Sequence, residues 1–108
     1  RYFLDKVTAD AQDWSGRYPD VPQVDLEPRV LDGYVGDGYG IASRETFDLI
    51  RELAALEGLV LDPVYTGKAF QGLLAEIAVG RFASCRDIVF IHTGGLFGLF
   101  PQSSGFRW

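Results

Sequence analysis

Methionine is absent from the 108-residue sequence, and cysteine and histidine occur once each, at Cys85 and His92. Without methionine, the chain is expected to be processed or to be a piece of a longer protein. Its opening residues, Arg1-Tyr2-Phe3-Leu4, show no basic stretch followed by an apolar one, so they do not read as a signal peptide. One cysteine cannot form an internal disulfide, which points to a reducing compartment such as the cytoplasm. No pair of Cys or His stands at ligand spacing, which argues against a metal site. No apolar run reaches the roughly 18 residues of a membrane span. Bases are in the minority, 10 against 15 acids for a net charge of −5, and they are scattered. A basic stripe is therefore missing, and nucleic acid and anionic membrane surfaces are excluded as expected partners.

Glycine is abundant instead, 13 of 108 residues against a typical share of ~7%. So many glycines imply several turns in which the backbone passes close to something. The chain divides into a lead-in over residues 1–33, a better-patterned part over 34–100 and a tail over 101–108. In the lead-in, Phe3, Val7, Ala11 and Trp14 recur every three or four residues, which predicts a short amphipathic helix. Pro19, Pro22 and Pro28 then interrupt regular structure, and residues 24–35 could hold a short strand. Further on, Ser43 is placed to cap a helix carrying Phe47, Ile50, Leu53 and Ala54, with Gly58 as its stop. Leu59-Val60-Leu61 reads as a buried strand closed by Asp62-Pro63. Thr66 is expected to cap a helix over about 67–79, with Phe70, Leu73, Leu74 and Ile77 as its buried stripe and Gly80 as its stop. Ile88-Val89-Phe90-Ile91 lacks polar alternation and predicts a strand covered on both faces. Gly94-Gly95 then turn the chain into one or two helical turns over 96–100. Helix, strand, helix, strand is an α/β pattern with a parallel sheet, and it supplies too few strands for a whole layered domain.

Ligands of such sheets collect where strands hand over to helices. Asp62-Pro63-Val64-Tyr65-Thr66-Gly67-Lys68 and His92-Thr93-Gly94-Gly95 are two such places, each with hydroxyls and glycine-exposed N–H groups that could hold an anion or a polar ring. The plain alternative is that Thr66 only caps and the glycines only turn. Gly36-Asp37-Gly38-Tyr39-Gly40 has the wrong spacing for a dinucleotide fingerprint, and Gly67-Lys68 lacks the rest of a P-loop. Lys68 reads as a supporting helix residue, His92 as structural and Cys85 as inert.

Three blocks together resemble a known family: residues 34–40 (Tyr34-Val35-Gly36-Asp37-Gly38-Tyr39-Gly40), 61–69 (Leu61-Asp62-Pro63-Val64-Tyr65-Thr66-Gly67-Lys68-Ala69) and 90–95 (Phe90-Ile91-His92-Thr93-Gly94-Gly95). They look like the C-terminal third of D-cysteine desulfhydrase and of 1-aminocyclopropane-1-carboxylate (ACC) deaminase. Both are fold-type II enzymes using pyridoxal 5′-phosphate (PLP), the tryptophan synthase β-like group. The resemblance implies the C-terminal part of a three-layer parallel-sheet domain from a homodimeric parent, an amino-acid substrate and PLP as cofactor. By resemblance, Tyr65 lies against the cofactor ring and Tyr39 is a second active-site tyrosine, both candidates for proton transfer. Thr93 resembles the hydroxyl residue at the pyridine nitrogen, while Thr66, Gly94 and Gly95 belong to the cofactor surroundings. The deaminase carries glutamate where Thr66 stands and leucine where Thr93 stands. Two threonines therefore favour the desulfhydrase: α,β-elimination from D-cysteine to pyruvate, ammonia and hydrogen sulfide. The alternatives are ACC deaminase, another D-amino-acid lyase, or a non-catalytic binding module. Residues 101–108 match no family pattern. Neither Lys6 nor Lys68, the only lysines, stands in a block resembling the Schiff-base site. The chain alone is expected to be inactive.

Overall fold

The computed structural model describes residues 2–22 and 28–107 and divides the chain into two compact units, Arg1–Asp32 and Gly33–Trp108. The first holds α1 (Tyr2–Arg17), the helix expected from the Phe3, Val7, Ala11 and Trp14 spacing, although none of its residues is buried. Ion pairs four residues apart, Lys6 with Asp10 and Arg17 with Asp13, lie on its exposed surface and add a few tenths of a kcal/mol each. Of the possible strand over 24–35, residues 23–27 lie outside the described part and 28–32 carry no regular structure.

The second unit is built on α2 (Arg44–Glu57) and α3 (Thr66–Ala78). Ser43 caps α2 as its position suggests: its backbone is extended and its Oγ accepts from the Thr46 N–H. At the other end Gly58 adopts φ 66°, the left-handed conformation a side chain resists, and its N–H closes on the Ala54 carbonyl. Ser43→Ala should cost about 1 kcal/mol in chemical denaturation; an unchanged midpoint would deny the cap its role.

The two helices pack through small groups. Ile50 of α2, only 2% exposed, lies over Gly67 of α3, and Thr46 donates from Oγ1 to Gln71 Oε1 at 2.7 Å. The ring of Tyr34 occupies the space that a Cβ on Gly72 would need, and its hydroxyl donates to Glu76 Oε1 at 2.7 Å. Arg81 closes on the other oxygen of Glu76. The Arg81 guanidinium and then the Tyr34 hydroxyl hold the Glu76 carboxyl below its ordinary range, while the Tyr34 phenol is held above its own by that same hydrogen bond. The buried face of α3 is thus Thr66, Gly67, Lys68, Gly72 and Glu76, not the stripe expected from periodicity. Leu74 and Ile77 are exposed, and Phe70 packs edge-on against Phe90 with ring centres 5.1 Å apart.

The expected sheet is not formed among the described residues. Leu59–Leu61 and Ile88–Ile91 carry no strand assignment and no ladder joins them. A strand exists only when another backbone accepts its N–H and C=O groups. Here the link is a side chain: the His92 imidazole Nε2 lies 2.9 Å from the Val60 carbonyl. Covering on both faces is also absent, since Val89 is 84% and Ile91 76% exposed. Leu61, by contrast, is fully buried.

Gly94 and Gly95, at φ 97° and 91°, turn the chain into a 3₁₀ segment, Leu96–Gly105, that runs through Pro101 and is longer than the one or two turns expected. The tail folds back on α2. Phe106 meets Phe47 edge-on at 5.0 Å, and Arg51 donates to the Arg107 carbonyl.

Candidate active site

The residue that organises the site is Asp62, fully buried at the start of the turn into α3. One carboxylate oxygen, Oδ2, accepts from the N–H groups of Val64 and Tyr65, each at 2.8 Å. The other, Oδ1, accepts from the Thr66 N–H at 2.8 Å and the Thr66 hydroxyl at 2.6 Å. The Asp62 carbonyl takes the Gly67 N–H, and Thr66 Oγ1 accepts from the Asp62 N–H. A helix start leaves four N–H groups without intrahelical partners, and here an aspartate four residues upstream supplies the acceptors. Burial pushes the Asp62 carboxyl up, but the bonds from Thr66, Tyr65 and Val64 outweigh it and hold the group below the usual carboxylate range.

Thr66 is therefore the first residue of α3 rather than its cap. The cap position falls to Tyr65, whose side chain makes no capping bond. The expectation of free N–H groups at this helix start is also corrected: Asp62 uses those of residues 64–67. A phosphate finds no donors there, whereas a flat polar ring needs none.

Tyr65 points its phenol outward to Tyr39. The hydroxyls lie 2.5 Å apart and the rings meet edge-on with centres at 5.9 Å. Tyr39 is 80% and Tyr65 54% exposed, so the pair forms an open aromatic wall. The hydrogen bond with Tyr39 is the main cause of a raised Tyr65 pKa, followed by partial desolvation and the neighbouring charges, so this phenol keeps its proton above the ordinary tyrosine range.

The glycine turn meets the same anchor, Asp62. A Cβ on Gly95 would fall 2.6 Å from Asp62 Oδ1, so the turn lies directly against the aspartate that anchors Tyr65. At Gly94 a Cβ would meet nothing within 4 Å: that side of the turn is open. The Gly94 N–H donates to His92 Nδ1 at 3.0 Å, which leaves Nε2 as the donor to the Val60 carbonyl. His92 thus serves as a brace. Thr93 is exposed, between this brace and the open glycine.

The structure consequently brings together Tyr39, Tyr65, Thr66 and Gly95 through contacts, with Thr93 and Gly94 adjacent in the chain. The Thr66 hydroxyl faces inward to Asp62, so its part in the site is to set the turn. Sequence reading missed Asp62, taking it for the end of a strand. The signal was present: an Asp-Pro step with a hydroxyl residue four positions on, ahead of a helix, is a pattern for local side-chain capping. Among the described residues no group of three His, Cys, Asp or Glu could hold a metal, and no helix is long and apolar enough to cross a membrane.

The chain belongs to the family of pyridoxal-phosphate dependent enzymes, whose family model matches residues 11–94. The cofactor of that family is PLP. Among its relatives is a Thermotoga maritima protein that carries the provisional name 1-aminocyclopropane-1-carboxylate deaminase, 49% identical over 74 residues. That stretch is 68% of this chain and 22% of the relative, so the chain spans about a fifth of the relative's length. The residues present fit the cofactor's ring: an open phenol wall, an exposed hydroxyl at Thr93 and a turn without side chains at Gly94. At the start of α3 the N–H groups of residues 64–67 are already bonded, so that turn offers no seat for its phosphate.

Proposed function

We propose that these residues form the ring side and the proton-donating side of a PLP-dependent lyase site acting on D-cysteine. The reading is carried by the exposed Tyr39–Tyr65 hydroxyl pair, 2.5 Å apart, with the Tyr65 backbone and the Gly95 turn both set against Asp62. Bound PLP supplies the electron-withdrawing ring that makes the substrate's α C–H bond acidic. Thr93 would face the pyridine nitrogen with a neutral hydroxyl, which does not enforce ring protonation, and Gly94 would admit the ring edge. Tyr65 would lie against the ring, with its backbone held by Asp62.

In the elimination, the α C–H and the β C–S bonds break and the sulfur leaves with a proton. With one water added, D-cysteine becomes pyruvate, ammonia and hydrogen sulfide. A thiol is a good leaving group whose sulfur needs only a weak acid nearby. Two hydrogen-bonded phenols, of which Tyr65 keeps its proton above the ordinary tyrosine range, offer such a weak acid without a carboxylic acid. Expelling sulfide this way suits a site in which threonine, not an acid, stands at position 66.

Replacing either phenol tests the role. In the protein expressed from its native gene, Tyr39→Phe and Tyr65→Phe should each lower D-cysteine turnover by about 10²-fold, with the smaller effect on KM. Normal turnover in both variants would mean that neither phenol moves a proton.

A second reading, ACC deamination, is favoured by the 49% identity to the Thermotoga maritima relative. Offering D-cysteine, L-cysteine and ACC in parallel separates the two. Sulfide from D-cysteine supports the first reading, and ammonia from ACC alone supports the second.

A further inference from the structure

Lys68 has an unusual setting for a lysine on the first turn of a helix. It is 9% exposed, and its Nζ donates to two backbone carbonyls, Val35 at 2.7 Å and Gly38 at 2.9 Å. Both belong to the glycine loop, in which Gly36 and Gly38 take φ 69° and 149°. Those backbone turns aim the two carbonyls at one point from opposite sides of Gly36, whose own missing Cβ would lie 3.8 Å from Nζ. The amino group sits at the edge of a cleft of about 180 Å³ that Gly36, Ser43, Thr46 and Gln71 also line. Burying an amine in this way is costly unless its donors are used. Using them on carbonyls rather than on a carboxylate ties the loop to the helix.

We propose that Lys68 is the positioning residue of the tyrosine pair, holding the 35–40 loop so that the Tyr39 phenol meets the Tyr65 phenol. The proposal rests on the reading of that pair as the proton-donating side of the site. The connections form a closed circuit. Nζ binds the carbonyl of Gly38, whose next residue is Tyr39. The Tyr39 hydroxyl meets that of Tyr65, and Tyr65 precedes Lys68 by three residues at the start of α3. Tyr34 ties the start of the loop to α3, and within the turn itself the backbone bond among the described residues is Ile41 N–H to the Gly38 carbonyl, long at 3.3 Å. Tyr39, 80% exposed, is not held by packing either. An exposed phenol on an untethered glycine loop would sample many positions, and the amino group removes most of them.

Two measurements on the chain decide this without any turnover. The sequence contains only two lysines, so brief native-state acylation read by mass spectrometry compares them directly. Lys68 should react about tenfold more slowly than the exposed Lys6, because modification requires the clamp to open. Equal labelling overturns the proposal and needs no variant to fold. The second measurement follows each tyrosine by ring-carbon NMR through an alkaline titration. Tyr65 should titrate above the ordinary range in the native chain, and Lys68→Met should lower its midpoint as far as Tyr39→Phe does. The Lys68→Met, Tyr39→Phe double variant should show no further change. A Lys68→Met chain that keeps its helical circular dichroism and an unshifted Tyr65 overturns the proposal. If the titrations behave as expected while Tyr39→Phe and Tyr65→Phe keep full turnover, Lys68 positions the pair and the reading of the pair as proton donor is what fails.

Discussion

Asp62→Ala is expected to destabilise the Gly33–Trp108 unit by about 1–3 kcal/mol and to loosen Tyr65 and the Gly95 turn together. Alanine leaves the N–H groups of Val64, Tyr65 and Thr66 without the acceptors they now have, and the Thr66 hydroxyl without its own. Buried donors that lose their partner cost far more than the net value of the bond itself. Asn in place of Asp separates charge from shape, because it keeps one acceptor oxygen and turns an NH₂ toward groups that are themselves donors.

The pH dependence follows from the direction of the Asp62 shift. The folded carboxyl titrates below its unfolded value, so on acidification the unfolded chain takes up its proton first. The stabilisation is complete above the unfolded value of about 3.9 and is lost as pH falls through the folded value. Glu76, also held low by Arg81 and Tyr34, adds to the same acid sensitivity in native and variant chains alike. Denaturant midpoints of the native chain and Asp62→Asn should therefore converge as the solution is acidified below about pH 4. A gap between them that stays constant down to the acid limit would show that the Asp62 charge contributes nothing.

Gly67→Ala sets two effects of opposite sign against each other. Alanine is the better helix former by up to about 1 kcal/mol. Its Cβ, however, would lie 2.6 Å from the Asp62 carbonyl oxygen and 2.8 Å from Ile50 Cδ1. The isoleucine tip can rotate away. The carbonyl cannot, because it is backbone and accepts the N–H of the substituted residue itself. Overpacking against such a neighbour costs about 1–3 kcal/mol, so the variant should unfold earlier than the native chain despite its helix propensity. Gly16→Ala in α1, where a Cβ meets nothing within 4 Å, is the matched control and should be neutral or slightly stabilising. If both variants gain stability alike, the approach of α3 to the Asp62 carbonyl is looser than these distances state.

Much of the local structure was legible in the residues. Ser43 and Gly58 mark the ends of α2 because a cap hydroxyl and a left-handed glycine act within a single turn. Gly94 and Gly95 turn the chain for the same local reason. The tyrosine, threonine and glycine blocks that carry the family resemblance were also visible, because identity at particular positions needs no folding to be read. The buried stripe of α3 was not. Phe70, Leu73, Leu74 and Ile77 have the correct period for burial. Which face a helix buries depends on what packs against it, and here Ile50 and Tyr34 select the side with Gly67 and Gly72. The two apolar runs have strand character, yet extended segments become a sheet only when partner backbones exchange hydrogen bonds with them, and no such ladder forms among the described residues.

The sequence by itself determined the ends of α2, the glycine turns, the scarcity of metal ligands and membership in a PLP-dependent family. These follow from residue identity and from interactions spanning a few positions. Only the tertiary structure decided that Asp62 anchors the site, that Lys68 clamps the glycine loop and that the two phenols lie 2.5 Å apart. Tyr39 and Tyr65, like Lys68 and Val35, are separated by 26 and 33 positions, respectively. Contacts over such distances are set by how the helices pack and how the loop is tied down, and no local pattern in the chain encodes them.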